Sequence, residues 1–180
     1  MANPQSDPTG ERAEILRILA EQRSTLLITV RGISDADAGR HTTVSALTLG
    51  GIIHHLTRCE ASWLQIMTEP VATIPPGMID EAQYRMPEDR TLAELLEAYA
   101  AVARATEDAV AALPDLDQQI RLPEFPWAPG ATMRWSARHI LLHLIRETAQ
   151  HCGHADIIRE ALDGANTTRQ MGEDLARQSG

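Results

Sequence analysis

The sequence predicts an all-α protein, a four-helix bundle with one long crossover connection, and three observations carry that expectation. Four long segments repeat their apolar residues at helical spacing, and connections punctuated by Pro and Gly separate them. Aromatic residues make up only 3% of the chain, so the core must be built from Leu, Ile, Val, Ala and Met, a mixture that suits helices better than sheets. A length of 180 residues with 43% hydrophobic content fits a single domain over 1–180, with a core of about 8–164 and a tail over 165–180.

The first helix is expected from about Pro8 to Val30, where Ile15, Leu16, Leu19, Leu26, Leu27 and Val30 recur at helical intervals. Asp7 is placed to cap it, Pro8 suits its first turn, and Gly32 ends it. The connector SDADAGRHTT has loop composition, with room for one helical turn around Asp35; His41 falls there as a solvated residue. The second helix runs from about Ser45 to Glu69, where Pro70 forbids continuation. Gly50 and Gly51 inside it each cost roughly 1 kcal/mol relative to Ala, and the reason expected for them is close approach of a neighbouring helix.

Between Pro70 and Arg90, Pro75, Pro76 and Pro87 interrupt a stretch without sustained period, which is either a lid or binding loop or a crossover between helix ends. The third helix opens with a capping box, Thr91 with Glu94 three residues on, and closes at Pro114. The polar, Pro-rich segment that follows spaces Ile120, Leu122, Phe125 and Trp127 like an extended piece laid across the bundle, with Trp127 either walling a pocket or covering the core edge. The fourth helix starts near Thr132, with Leu142, Leu144, Ile145, Ile157 and Ile158 marking it as amphipathic, and ends at Gly164 in the C-terminal Gly position. A tail or a further short helix follows.

The fourth helix carries the chemistry. His139, His143, Glu147 and His151 follow one another at intervals of four, and each such step turns only about 40° around the axis, so neighbours in the series share a face. Ionisable groups on a buried face are costly unless paired, hydrogen-bonded or bound to a metal. Taken singly, a histidine is more often a satisfied core or surface residue. Glu147 and His151 together form the i, i+4 pair by which helices of a bundle supply two ligands to one metal.

Another helix must contribute, and His55 is the candidate. His54 and His55 lie about 100° apart on their helix, and His55 shares the apolar line of Ile52, Leu56 and Cys59. His55, Glu147 and His151 are therefore the expected metal ligands, a set of protein donors that leaves coordination positions open as catalytic sites do. His143, one turn before Glu147, is the candidate hydrogen-bond partner or proton acceptor beside them. Cys59 is near enough to be a soft ligand, although a lone Cys on an apolar helix reads first as a buried one. Asp156 and Arg159 either orient His154 or pair with each other at i, i+3.

The segments LTLGGIIHHLTRCEASW and RWSARHILLHLIRETAQHCGHADIIREALDG resemble the two signature regions of the DinB/YfiT superfamily of bacterial four-helix bundles, in the branch with a Glu-Thr-Ala-x-His-x-Gly-His-Ala-Asp pattern. The similarity runs from the first helix to Gly164. It implies a DinB-like bundle akin to metal-dependent enzymes that use low-molecular-weight thiols, among them mycothiol-dependent maleylpyruvate isomerase and bacillithiol transferase. By position, the family's second-helix His falls on His55 and the second of its two last-helix histidines on His151, while Glu147 stands where the first is found. This His, His, Glu set suits a divalent ion such as zinc, nickel, manganese or iron, and the carboxylate shifts preference toward harder metals. His154, three residues beyond His151, is a candidate to replace or supplement a ligand. The resemblance also implies a thiol cofactor such as mycothiol or bacillithiol, a small-molecule substrate and a homodimer.

Three functions stay open at this point. The first is a metal-dependent, thiol-utilising S-transferase or isomerase that activates a thiol or water at an open metal position. The others are a non-enzymatic metal-binding bundle with a structural or stress-response role, and a metal-dependent hydrolase. A formal net charge of −9 argues against a nucleic-acid surface. No apolar run approaches the roughly 18 residues needed to span a bilayer. With no apolar leader in MANPQSDPTGERAE and only Cys59 and Cys152, a cytoplasmic protein without a membrane partner is expected.

Overall fold

The computed structural model describes residues 10–69 and 73–178. Its long helices are α1 (Glu11–Thr29), α3 (Leu49–Thr68), α4 (Leu92–Ala112) and α5 (Ala137–Asp163). Shorter elements join them: α2 (Asp35–Ala38), a 3-10 turn at Glu81–Tyr84, the strands β1 (Gln119–Arg121) and β2 (Arg134–Ser136), and a last helix α6 (Thr167–Gln178). Helix α5 packs against α1 and α3, and α3 packs against α4. This is the expected four-helix bundle, with the crossover lying between α3 and α4. Among the described residues no helix is long and apolar enough to cross a membrane.

Local chemistry sets most of the boundaries. The capping box of α4 is formed, with Thr91 N–H donating to Glu94 Oε2 at 2.8 Å and Glu94 N–H donating to Thr91 Oγ1 at 3.2 Å. Gly164 closes α5 at a left-handed φ of 77° that a side chain would disfavour. The expected cap Asp7, first-turn Pro8 and stop Pro70 lie outside the described residues.

Two helix starts differ from expectation. Helix α3 begins at Leu49 rather than Ser45, because Thr48 is its cap and accepts from Gly51 N–H at 3.1 Å. Thr43 and Ser45 instead accept from the N–H groups of Ser45 and Leu47, each at 3.2 Å, local bonds that compete with helix. Helix α5 begins at Ala137 rather than near Thr132, because the preceding residues form β2, antiparallel to β1 with Ile120 opposite Trp135. The extended piece expected after α4 is thus half of a hairpin. Trp127 stacks on buried Phe125 at 4.7 Å and is 67% exposed, so it covers the core edge rather than walling a pocket.

The C-terminal segment is the helical alternative. Thr167 donates both N–H and Oγ1 to Asp156 Oδ1 at 2.7 Å, and α6 packs on α1. Arg159 donates to Asp163 at 2.9 Å and to the carbonyls of Thr29 and Arg31, each at 2.9 Å. Asp156 and Arg159 therefore anchor neighbouring segments and do not serve each other or His154. Leu27, Leu142 and Ile157, expected on apolar faces, are exposed.

The core is divided in two. One apolar cluster contains Leu19, Trp63, Ile66, Val110, Ile140 and Leu144; the other contains Leu26, Ile52, Ile53, Leu95, Tyr99 and Ile158. Within its span each long helix also carries polar residues that are buried or half-buried: Arg23 on α1, His55 and Glu60 on α3, Thr106 on α4, and Glu147, Thr148 and His151 on α5. Arg23 and Glu60 form a buried ion pair, and Thr106 Oγ1 donates to Glu60 Oε1 at 2.6 Å.

Candidate metal centre

Helix α3 presents His55 to the bundle because Ile52, Leu56 and Cys59 are buried beside it, leaving His55 itself 4% exposed. Its Nδ1 lies 3.1 Å from Gln83 Oε1, while Gln83 Nε2 donates to the carbonyl of Met78 at 2.9 Å. The amide is thereby oriented with its oxygen toward His55, so the imidazole donates from Nδ1 and keeps a lone pair on Nε2. That Nε2 is buried without a hydrogen-bond partner. It faces Glu147 Oε2 at 3.9 Å.

Glu147 is brought to His55 by the packing of α5 on α3. The His151 ring meets the His55 ring edge-on at 4.7 Å between centroids. Burial pushes His151 down to about 4, with His55 and His154 in the same direction and Glu147 opposing. Near neutral pH the group therefore holds a carboxylate and a neutral imidazole, the protonation states a metal requires.

The remaining candidates sit around this pair in different ways. Cys59 Sγ, His55 and Glu147 offer ligand atoms that all lie within 4.8 Å of one another. Burial, Glu147 and Glu60 push the Cys59 thiol up to about 12. His154 meets the group through His151, Nδ1 to Nδ1 at 3.4 Å. His143 Nδ1 lies 3.7 Å from Glu147 Oε1 and accepts from Arg146 Nη2 at 2.5 Å, with its ring against Trp63 and Trp135. Burial holds His143 below its ordinary value. His139, at the far end of the stripe, is exposed and stacks on Trp135. Three steps of about 40° carry it off the shared face.

Two contributors were not visible from the sequence. Gln83 orients His55, and Tyr84 stacks on the same ring at 4.4 Å between centroids. Both come from the Pro-rich connection, whose only sequence signal was its length.

With this geometry in place, comparison with known proteins narrows the identity. The profile of the mycothiol-S-transferase family matches residues 14–164. The chain belongs to this family. Membership agrees with the DinB/YfiT resemblance of the two helical segments. No curated protein matches the sequence. Among solved structures, a conserved protein from Enterococcus faecalis is 14% identical with a TM-score of 0.66, covering 88% of this mycothiol-S-transferase family chain and 100% of its own. YfiT from Bacillus subtilis, a probable metal-dependent hydrolase with an unusual four-helix bundle topology, is 15% identical with a TM-score of 0.48, over 96% of this chain and 94% of its own.

Proposed function

We propose that this protein is a divalent-metal-dependent enzyme of the S-transfer type, which holds its ion between His55 on α3 and Glu147 and His151 on α5. It acts on a small molecule together with a low-molecular-weight thiol such as mycothiol or bacillithiol. One observation carries the metal reading: the buried His55 Nε2 has no partner, and a carboxylate oxygen stands 3.9 Å away. Such an orphaned acceptor is costly without a ligand to fill it. Two donors each about 2.1 Å from a tetrahedral ion stand about 3.4 Å apart, close to this separation.

Cys59 is the stronger further donor, since its sulfur shares the space of His55 and Glu147 whereas His154 reaches the group only through His151. A thiolate in the set favours zinc among the divalent ions. A divalent ion bound here supplies Lewis acid chemistry, lowering the pKa of a thiol or a water. The chain's own part is to hold the donors ready. Arg146 donates to His143 and stands 3.8 Å from Glu147 as an exposed positive charge. Glu147 keeps 21% side-chain exposure, so solvent reaches its carboxylate, while Tyr84 covers the His55 ring. The thiol half of the reading is supported by membership of the mycothiol-S-transferase family.

The test is metal content per chain, measured by elemental analysis on untagged protein. Near-stoichiometric metal is expected in the wild type, lost in His55→Ala, Glu147→Ala and His151→Ala, with Cys59→Ser deciding the further donor. Thiol consumption with electrophilic substrates is then measured with the ion found. A wild type that takes up no divalent ion overturns the proposal.

A further inference from the structure

The connection between α3 and α4 is fastened to the first half of α3 by four successive residues. Gln83 accepts from His55 Nδ1 at 3.1 Å and is 5% exposed. The carbonyl of Tyr84 lies so close to Gly51 that a Cβ there would overlap it. The carbonyl of Arg85 accepts from His54 Nδ1 at 2.9 Å. Met86 occupies the space that a side chain at Gly50 would fill. Upstream, Arg58 Nη2 donates to the carbonyl of Pro76 at 2.7 Å. Gly51 thus serves the passage of this connection, and Gly50 serves both it and the expected helix approach, since a Cβ there would also stand 3.2 Å from the Ala38 carbonyl of α2.

From these contacts we infer that residues 76–86 form a strap whose seating and metal loading are linked, with Gln83 as the positioning residue between them. This rests on the metal reading above. Seated, Gln83 holds the proton of His55 on Nδ1 and so presents the Nε2 lone pair toward Glu147. Unseated, the imidazole loses that partner and is free to change tautomer and to turn, and the ligand pair is no longer preorganised. Linkage is reciprocal: what the seated strap gives to metal affinity, bound metal returns to the strap. Partners that orient a ligating histidine are typically worth 10- to 100-fold in metal affinity.

Two substitutions loosen the strap from opposite sides. Gln83→Leu keeps the bulk and removes the amide. Gly51→Ala keeps the Gln83 amide and pushes on the Tyr84 carbonyl, and also on the Thr48 hydroxyl that caps α3. Zinc affinity is measured by calorimetry, and amide exchange over residues 76–86 is followed with and without zinc. The expected result is roughly 10- to 100-fold weaker zinc binding in both variants, with zinc slowing exchange over 76–86 in the wild type and less in Gln83→Leu. Nitrogen-detected NMR of the metal-free wild type should show His55 protonated on Nδ1, a signature lost in Gln83→Leu. Wild-type affinity in both variants, or exchange over 76–86 indifferent to zinc, overturns the linkage while leaving the metal site standing. A wild type that binds no zinc or other divalent ion overturns both.

Discussion

Removing Glu60 tests whether the buried polar residues of the bundle are held together as their geometry implies. Arg23 and Glu60 have side-chain exposures of 7% and 4%, so neither charge can fall back on water if its partner is lost. Breaking one side of a buried pair costs about 3–5 kcal/mol. Arg23 keeps a second carboxylate, Glu107, at 3.3 Å from Nη1, but that residue is 49% exposed and compensates weakly. Thr106 Oγ1 also loses its acceptor at Glu60, retaining the carbonyl of Val102 at 3.0 Å. Glu60→Ala is therefore expected to cost about 3 kcal/mol, the lower end of the range. In a chain of this size that lowers the melting temperature by roughly 6–12 °C. Urea denaturation followed by circular dichroism reads the loss directly, with Glu107→Ala as a control expected to cost under about 1 kcal/mol. The double replacement Arg23→Met with Glu60→Leu should recover most of the stability, because an apolar pair of similar volume leaves no buried charge. A cost below about 1 kcal/mol for Glu60→Ala, or a double variant as unstable as the single one, would refute the reasoning.

Two further predictions concern titration and thiol chemistry. Burial holds His151 at about 4 and keeps His54 and His143 below their ordinary value, so each binds a proton more readily unfolded than folded. The stability they contribute is complete above the unfolded value of about 6.5 and is lost as pH falls below it, for His151 down to about 4. The urea midpoint of metal-free protein should drop between about pH 7 and pH 5, and His151→Gln should narrow the difference; an unchanged difference would count against the assignment. Burial raises the thiols of Cys59 and Cys152 to about 12 and about 11, so the native, metal-free protein should react slowly with a thiol reagent at mildly alkaline pH. Both should react once urea unfolds the chain. Fast modification of either thiol in the folded state would contradict their placement.

Much of the fold was legible because its signals are local. Helical periodicity, the Thr91–Glu94 capping box and Gly164 act over one or two turns, and a reader of the sequence sees the same neighbours that the chain does. Where the sequence reading slipped, a local competitor or a distant partner prevailed. Thr43 and Ser45 used their hydroxyls for turns ahead of α3, and Trp135 was drawn into a strand by pairing with Ile120. The i, i+4 stripe placed Glu147 and His151 on one face of α5, and the apolar line of α3 singled out His55 from His54. Only the tertiary structure decided what stands across from them. Gln83 reaches His55 from 28 residues away and Arg23 reaches Glu60 from 37, and no periodicity within a helix encodes such pairings. They depend on how α3 and α5 pack and on the path of the strap over Gly50 and Gly51. Burial then supplies what composition alone does not: an imidazole nitrogen without a partner, opposite a carboxylate.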